Sequence, residues 1–383
     1  MSPKLDSKIS IACPAVGEDE WQAVREPIMR GWLTQGPKVA EFERAFSHRH
    51  GVKHAIATTS CTTALHLSLV ALDIGPGDEV ILPSFTWVAT ANVVVHCGAT
   101  PVFVDVHPTT FNLDSGKLST AITPKTKAVI PVHLFGLCAD MDAIAEVAGN
   151  VPLIEDAACA AGASYHGRSA GSLGLLGCFS FHPRKVITTG EGGMITTNDS
   201  LLANKIESLR NHGASVSDAQ RHAGSKPFIL PEFNTVGYNY RMSDIHAAIG
   251  IEQLKKLDTL IERRKRCAEY YNERLRSIEW LRTPITPNGY AHSWQSYVCY
   301  VDPKLALLSR NEIMEQLDDK GVSTRPGTLA VHTVAHLRDQ FGLSCEQLGW
   351  STSCADQSLA LPLHNKMTDH DFNRVVETIE QIA

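Results

Sequence analysis

Residues 54–104 read HAIATTSCTTALHLSLVALDIGPGDEVILPSFTWVATANVVVHCGATPVFV. Two apolar periods alternate along this stretch. Short apolar runs at 54–57, 79–82 and 102–104 have strand length, while 62–72, with Ala64, Leu65, Leu67, Leu69 and Leu72, and 88–97 carry helical spacing. Upstream, 18–31 and 38–51 read as two helices separated by the Gly- and Pro-punctuated loop 31–37. Downstream, strands are expected at 128–132 and 153–154, with helical stretches near 114–121 and 140–148. Strands joined by helical crossovers predict an α/β fold with a mostly parallel sheet covered by helices on both faces.

Further along, a strand at 194–197 and a helix at 201–211 lead into 213–230, a polar segment expected to be a mobile loop or a subunit contact. Two successive long helices are expected from Ser243 and over 260–281. The pattern then changes to strand 296–301, helix 311–317, strand 322–324 and a final helix 369–382. The expected division is a large domain at 1–255 and a smaller C-terminal α/β domain at 256–383, in keeping with the length prior of roughly 150 residues per domain.

The 383 residues are 43% hydrophobic, enough to bury a full core. Lys plus Arg number 35 against 41 Asp plus Glu, a net charge of −6, with no basic run, which argues against a nucleic-acid partner. Residues 1–15 lack an apolar leader core and no run approaches a membrane span, so the expectation is a cytoplasmic protein with no membrane partner. The ten cysteines are scattered without a C-x-x-C, the pattern of free thiols. His332 and His336 stand four apart but lack the Glu of an H-E-x-x-H pair, so no metal is expected.

In such sheets ligands bind beyond the carboxyl ends of the strands. After the first strand come Ser60, Cys61 and Thr62 at a helix start, which serve either as a plain cap or as an anion site. After the second comes Trp87 at a loop-to-helix junction, either a stacking plate or packing. After 153–154 come Glu155 and Asp156, adjacent acids that need a partner when buried, one such partner being a pyridinium nitrogen. The stretch 180–193, SFHPRKVITTGEGG, carries Lys185 between Pro183 and a glycine cluster. That lysine could be a surface charge, a phosphate ligand or a Schiff-base amine. A phosphate cradle, a plate, a pyridinium partner and a lysine at the strand ends of one sheet are together the parts of a pyridoxal 5′-phosphate site.

These motifs resemble the fold-type I, pyridoxal phosphate-dependent sugar aminotransferases of the DegT/StrS group. The resemblance rests on Gly36-Pro37, SCTTAL from Ser60, PSFTWVA from Pro83, PVHLFG from Pro131, IEDAA from Ile154, SFHPRK with TGEGG, LRNHG from Leu209 and GYNYRM from Gly237, and so spans nearly the whole chain. It implies Lys185 as the Schiff-base lysine, Asp156 as the partner of the pyridine nitrogen and Trp87 as the stacking residue. It also implies Ser60, Cys61, Thr62 and Ser180 around the phosphate, Cys159 near the cofactor, and Asn239 reaching in from the other subunit of a homodimer with shared sites. Trp32, His182, Glu191, Arg241, Arg325 and His332 are the implied substrate residues. The implied reaction moves an amino group from L-glutamate to a nucleotide-sugar substrate, and the TRPGT stretch from Thr324 is similar to that of members that aminate C4 of a 4-keto-6-deoxyhexose. A sugar dehydratase, a cyclitol aminotransferase and a non-catalytic regulatory protein of the same fold are the alternatives. The chain departs from the group at Cys61, where Gly is usual, and at Cys159, where His, Gln or Glu is usual.

Overall fold

A computed structural model describes residues 8–216 and 228–382. The large part of the fold contains β1 (His54–Thr58), β2 (Glu79–Pro83), β3 (Phe85–Thr86), β4 (Thr100–Val104), β5 (Thr126–Val129), β6 (Ile154–Asp156), β7 (Ser164–Tyr165), β8 (Arg168–Ser169), β9 (Leu176–Ser180) and β10 (Gly193–Thr197). Its helices are α1 (Glu18–Arg30), α2 (Pro37–His50), α3 (Cys61–Ala71), α4 (Val88–His96), α5 (Ser115–Leu118), α6 (Met141–Ala148) and α7 (Ser200–Arg210).

Two hydrogen-bonded ladders, β4-β2-β5 and β6-β9-β10-β1, are joined by parallel bridges from Val129 to Leu153 and from Val132 to Asp156. The result is one layer in the order β4-β2-β5-β6-β9-β10-β1. It is parallel except for β10, which runs antiparallel to both β9 and β1. The connection from β9 to β10 is the glycine-rich lysine stretch, which carries no helix and turns β10 back alongside β9.

Side chains alternate across this layer, so each strand feeds two cores. Ala55, Ala57, Ile81 and Met194 face α2, α6 and the partner side chains Phe42, Phe46 and Ile144, while Ile56, Val80, Leu82 and Ile195 face α3, α4 and α7 through Leu65, Leu69, Val94 and Ile206. Burial on both faces is why the strands read as continuous apolar runs.

The expected helix at 114–121 is one turn, Ser115–Leu118, started by the Asp114 side chain accepting from Gly116 N–H and cut short by the threonine- and proline-bearing segment that follows. The two expected long helices are a single one, α8 (Asp244–Leu275), of 32 residues. The boundary expected at 255/256 falls inside it. Its apolar stripe continues from Ala247, Ile251 and Leu257 in the sheet core to Ala268, Tyr271 and Leu275 in a C-terminal core, with no proline to break it. That second core gathers around β11 (Leu281–Arg282), β13 (Tyr297–Val301) and β15 (Ser358–Leu361), with α9 (Arg310–Asp319), α10 (Ala335–Phe341), α11 (Gly349–Gln357) and α12 (Asp369–Glu380). Two short pairings tie it back to the large part: β12 (Tyr290–Ala291) to β7, and β14 (Leu329–Ala330) to β3. Most of the segment expected as a mobile loop or contact at 213–230 lies outside the described residues.

Candidate active site

The expected functional residues gather at the carboxyl ends of the parallel strands. Lys185 follows β9, Asp156 ends β6, Ser60 to Thr62 follow β1, and Trp87 lies just past β2 and β3. Proline at 183 cannot extend the β9 ladder, and the chain turns there, Lys185 N–H donating to the His182 carbonyl at 2.8 Å. This turn swings the Lys185 side chain inward, where its Nζ lies 3.2 Å from Cys159 Sγ. Burial works against the ammonium, but the Cys159 and Cys61 sulfurs and the Asp156 carboxylate outweigh it and hold the Lys185 pKa above the ordinary lysine value.

Asp156 is buried, and each of its oxygens is held. Thr90 Oγ1 donates to Oδ2 at 2.8 Å, Ala158 N–H donates to Oδ1 at 3.2 Å, and the Cys61 thiol lies 3.9 Å from Oδ1. Thr90 is the residue that reading the sequence missed. Its signal was the spacing Thr86 to Thr90 in an otherwise apolar helix start, and the two hydroxyls are 3.1 Å apart. Glu155, one residue earlier, points to the opposite face. It accepts from His133 Nε2 at 2.8 Å and from the N–H groups of Gly171, Leu173 and Gly174 at 2.6 to 2.7 Å, and it is fully buried. The two adjacent acids therefore divide their work: Glu155 holds a loop and Asp156 faces the site.

Ser60 caps α3, its Oγ accepting from Thr63 N–H at 3.1 Å, which makes it a cap first. The first-turn N–H groups of Cys61 and Thr62 have no carbonyl four residues back within the helix, and Thr62 is exposed. Ser180 is brought to this helix end by register: Gly193 pairs with both Ser180 and Thr58. A Cβ at 193 would stand 2.4 Å from the Ser60 carbonyl group and 2.7 Å from Cys61 N, so only glycine lets β10 approach this closely. The Cys61 side chain departs from its expected place around a phosphate. It is buried, points under Asp156 and lies 3.4 Å from the Cys178 carbonyl, because the first side chain of a helix seated on the sheet turns into the core. Only its backbone N–H remains on the anion side.

Trp87 is the N-terminal cap residue of α4 and is 61% exposed, so it is not part of the core. Its carbonyl accepts from Thr90 N–H at 3.1 Å, linking it to the residue that holds Asp156. Asn239 is exposed beside the end of β1, where Thr59 N–H donates to the Tyr240 carbonyl and Arg241 bridges Thr58. Phe228, Phe233 and Val236 just before it are exposed as well.

Among the expected substrate residues, Trp32 donates to the Gln35 carbonyl at 3.2 Å and shapes the loop before α2. His182 is half-buried, and burial together with the neighbouring Lys185 and Arg184 charges lowers its pKa despite Glu191. Glu191 is exposed, and Arg241 donates to Asn211 Oδ1 at 2.8 Å. Arg325 is half-buried, its pKa lowered by burial and by Arg184. His332 departs from the expected role. It is fully buried, with Nδ1 at 2.6 Å from Ser84 Oγ and Nε2 directed at the Cys345 carbonyl at 3.4 Å, so both ring nitrogens are engaged inside the chain. It braces the Ser84 to Thr86 turn that carries Trp87. His336 turns to Asn92 instead.

A family model of the DegT/DnrJ/EryC1/StrS aminotransferases matches residues 14–380. The chain belongs to this family. It is 41% identical over 386 residues to the spore coat polysaccharide biosynthesis protein SpsC of Bacillus subtilis, covering 100% of this chain and 99% of that one. It is 42% identical over 379 residues to the GDP-perosamine synthase of Caulobacter vibrioides, covering 98% of each. Among solved structures, an aminotransferase from Psychrobacter cryohalolentis superposes with a TM-score of 0.92 at 32% identity, with 98% of each chain covered. Spr1654 of Streptococcus pneumoniae, solved in PLP and PMP forms, superposes at 0.89 and 0.90 with 29% and 30% identity, again with 98% of each chain covered. The fold is thus that of the fold-type I aminotransferases, and the chain is a transferase of that class. Among the described residues no helix is long and apolar enough to cross a membrane.

Proposed function

We propose that this chain is a pyridoxal phosphate-dependent aminotransferase that moves an amino group from L-glutamate to a nucleotide-linked keto sugar, a 4-keto-6-deoxyhexose. The observation that carries this reading is the enclosed Lys185 amine beside Asp156 and Cys159, at the same sheet edge as the α3 N-terminus. The residues fit the group. A carboxylate matches a ring N–H, an exposed indole matches an aromatic face, and unpaired first-turn N–H groups match a phosphate dianion. Bound there, pyridoxal phosphate supplies the electron sink that makes the α-proton of an amino acid acidic.

The remaining work belongs to the chain. Lys185 Nζ takes the proton from the donor's α-carbon as a general base and, in the second half of the cycle, gives a proton as a general acid to the sugar carbon that receives the amino group. Asp156, fixed by Thr90 and Ala158, keeps a proton on the ring nitrogen. Trp87 stacks on the ring. Thr62, Ser180 and the backbone of Cys61 receive the phosphate, with Asn239 of the partner subunit completing it, and the exposed Phe228, Phe233 and Val236 belong to the surface that a homodimer buries. Trp32, His182, Glu191 and Arg325, with Arg241 of the partner subunit, surround the sugar. Residues 1–255 build the cofactor side and 256–383 the smaller part. A cytoplasmic location accords with soluble nucleotide-sugar and glutamate pools.

The test is spectroscopic. Protein loaded with pyridoxal phosphate loses its visible band on addition of L-glutamate without any sugar, and regains it with a nucleotide-linked 4-keto-6-deoxyhexose. A loaded protein whose band ignores every amino acid overturns the transferase reading of this site, and Lys185→Ala that stays yellow and active overturns the role of the lysine.

A further inference from the structure

We infer that Cys159 and Lys185 form an oxidisable pair, in which a hydroperoxide converts the two side chains into a reversible sulfur–nitrogen link that withdraws the amine from the reaction. Three observations carry this. The amine nitrogen is already 3.2 Å from the sulfur, the distance of a hydrogen bond along which a bond can close with little side-chain movement. Cys159 is partly open to solvent, whereas the nearby Cys61 and Cys178 are buried. Oxidation follows exposure, so Cys159 is the thiol of this group that a small peroxide reaches. The backbone on which it sits is pinned: Ser293 Oγ donates to the Cys159 carbonyl at 3.0 Å and Ala160 N–H to the Ala157 carbonyl at 2.9 Å. The sulfur is therefore held at the amine.

The chemistry closes in two steps. The Cys159 sulfur attacks the peroxide O–O bond and loses two electrons, giving the sulfenic acid, while the hydroperoxide is reduced to an alcohol, or to water in the case of hydrogen peroxide. The Lys185 ammonium gives up one proton to water, its lone pair then attacks sulfur, the S–O bond breaks, and the hydroxide leaves with a second amine proton as water. Relative to the starting thiol and amine, the protein has lost two hydrogens. An external thiol reverses the link by attacking sulfur and releasing the amine, and a second thiol frees Cys159 from the mixed disulfide. Capture by the amine also keeps the sulfur from advancing to sulfinic acid, which thiols do not reverse.

The consequence for turnover rests on the proposed function: while the lysine is joined to its cofactor the amine is occupied, and it becomes open to capture once an amino donor has displaced it. The link itself can be read without that premise. The full-length protein, freed of cofactor, is treated with hydrogen peroxide and examined by intact-mass and peptide spectrometry. The expected result is a loss of two hydrogens, one cross-linked species joining the peptides that carry Cys159 and Lys185, and full reversal by dithiothreitol. Cys159→Ser and Lys185→Met each abolish the cross-link, and Lys185→Met gains oxygen at Cys159 instead. Oxygen addition at Cys159 in the unaltered protein, a disulfide between Cys159 and another cysteine, or an unmodified Cys159 would each overturn the inference. A second arm uses loaded protein: prior L-glutamate should speed the cross-link several-fold, and equal rates with and without it would leave the link standing but refute the cofactor's protection.

Discussion

Glu155→Gln is a one-atom change at a site where every acceptor is used. The carboxylate accepts four hydrogen bonds: Oε1 from Leu173 and Gly174 N–H, Oε2 from Gly171 N–H and His133 Nε2. His133 cannot reverse its tautomer to accommodate an amide, because its Nδ1 already accepts from Ala139 N–H. Whichever oxygen becomes an NH2 group, it faces two donors and leaves both without an acceptor in a fully buried place. At about 1–3 kcal/mol for each orphaned group, the variant should lose about 2–6 kcal/mol of stability. The neighbouring change Asp156→Asn meets one hydroxyl, which can turn to accept, and one N–H, so it should cost far less stability while turnover collapses. Urea unfolding followed by fluorescence, beside kcat, separates the two. If Glu155→Gln unfolds at the same midpoint as the parent, or if Asp156→Asn keeps its turnover, the assignment of these adjacent acids to loop and site is refuted.

Thr90→Val keeps the shape of the helix start but removes a hydrogen bond to a charged group, a loss of about 1.5–3 kcal/mol; if all of it passes to the barrier, kcat falls roughly ten- to a hundredfold, and an unchanged kcat would show that Thr90 does not hold Asp156. Trp87→Ala should leave the unfolding midpoint unmoved, since the ring is largely exposed, while pyridoxal phosphate binds roughly two- to tenfold more weakly for a stacking loss of about 0.5–1.5 kcal/mol; equal binding in a titration refutes the plate. His50, stacked on Phe46 and donating from Nδ1 to the Phe46 carbonyl, is buried with Nε2 unpartnered, and burial lowers its pKa to about 4 from 6.5. Its neutral form is the folded form, so the contribution is present above pH 6.5 and is lost as pH falls toward about 4, for a total of about 3 kcal/mol. His50→Leu should flatten the midpoint-versus-pH curve over that window, and a parallel curve would sink the argument.

The sheet was readable because each strand is buried on both faces and flanked by helices of clear period, and the placement of Lys185, Asp156 and Trp87 at one sheet edge was readable because they follow those strands. What stayed hidden depends on contacts distant in sequence. Nothing around 194–197 announces that β10 runs backwards between β9 and β1. His332 looks like a pocket histidine until β14 is seen to fold it against Ser84, 248 residues away. Thr90 is an ordinary helical threonine until Asp156 arrives beneath it. Cys61 belongs to the cradle motif by position, yet the direction of a first-turn side chain sends it to the floor. The pair of long helices was a misreading of one continuous stripe, whose charged middle lies where the helix passes between two cores.

That helix, α8, reaches about 48 Å at 1.5 Å per residue. At its start Asp244 accepts from the N–H groups of Lys38 and Val39, at 3.2 and 3.0 Å, and so anchors the loop that carries Trp32. At its far end Tyr271 donates to the Pro362 carbonyl at 2.9 Å inside the C-terminal core. One continuous helix thus ties the loop before α2 to the C-terminal core. Differences in sugar preference among proteins built this way should accordingly map to the loops at the sheet edge and to the Arg325 stretch of the C-terminal part, and grafting these segments onto α8 as it stands is a sounder route to a new acceptor than exchanging the C-terminal part whole.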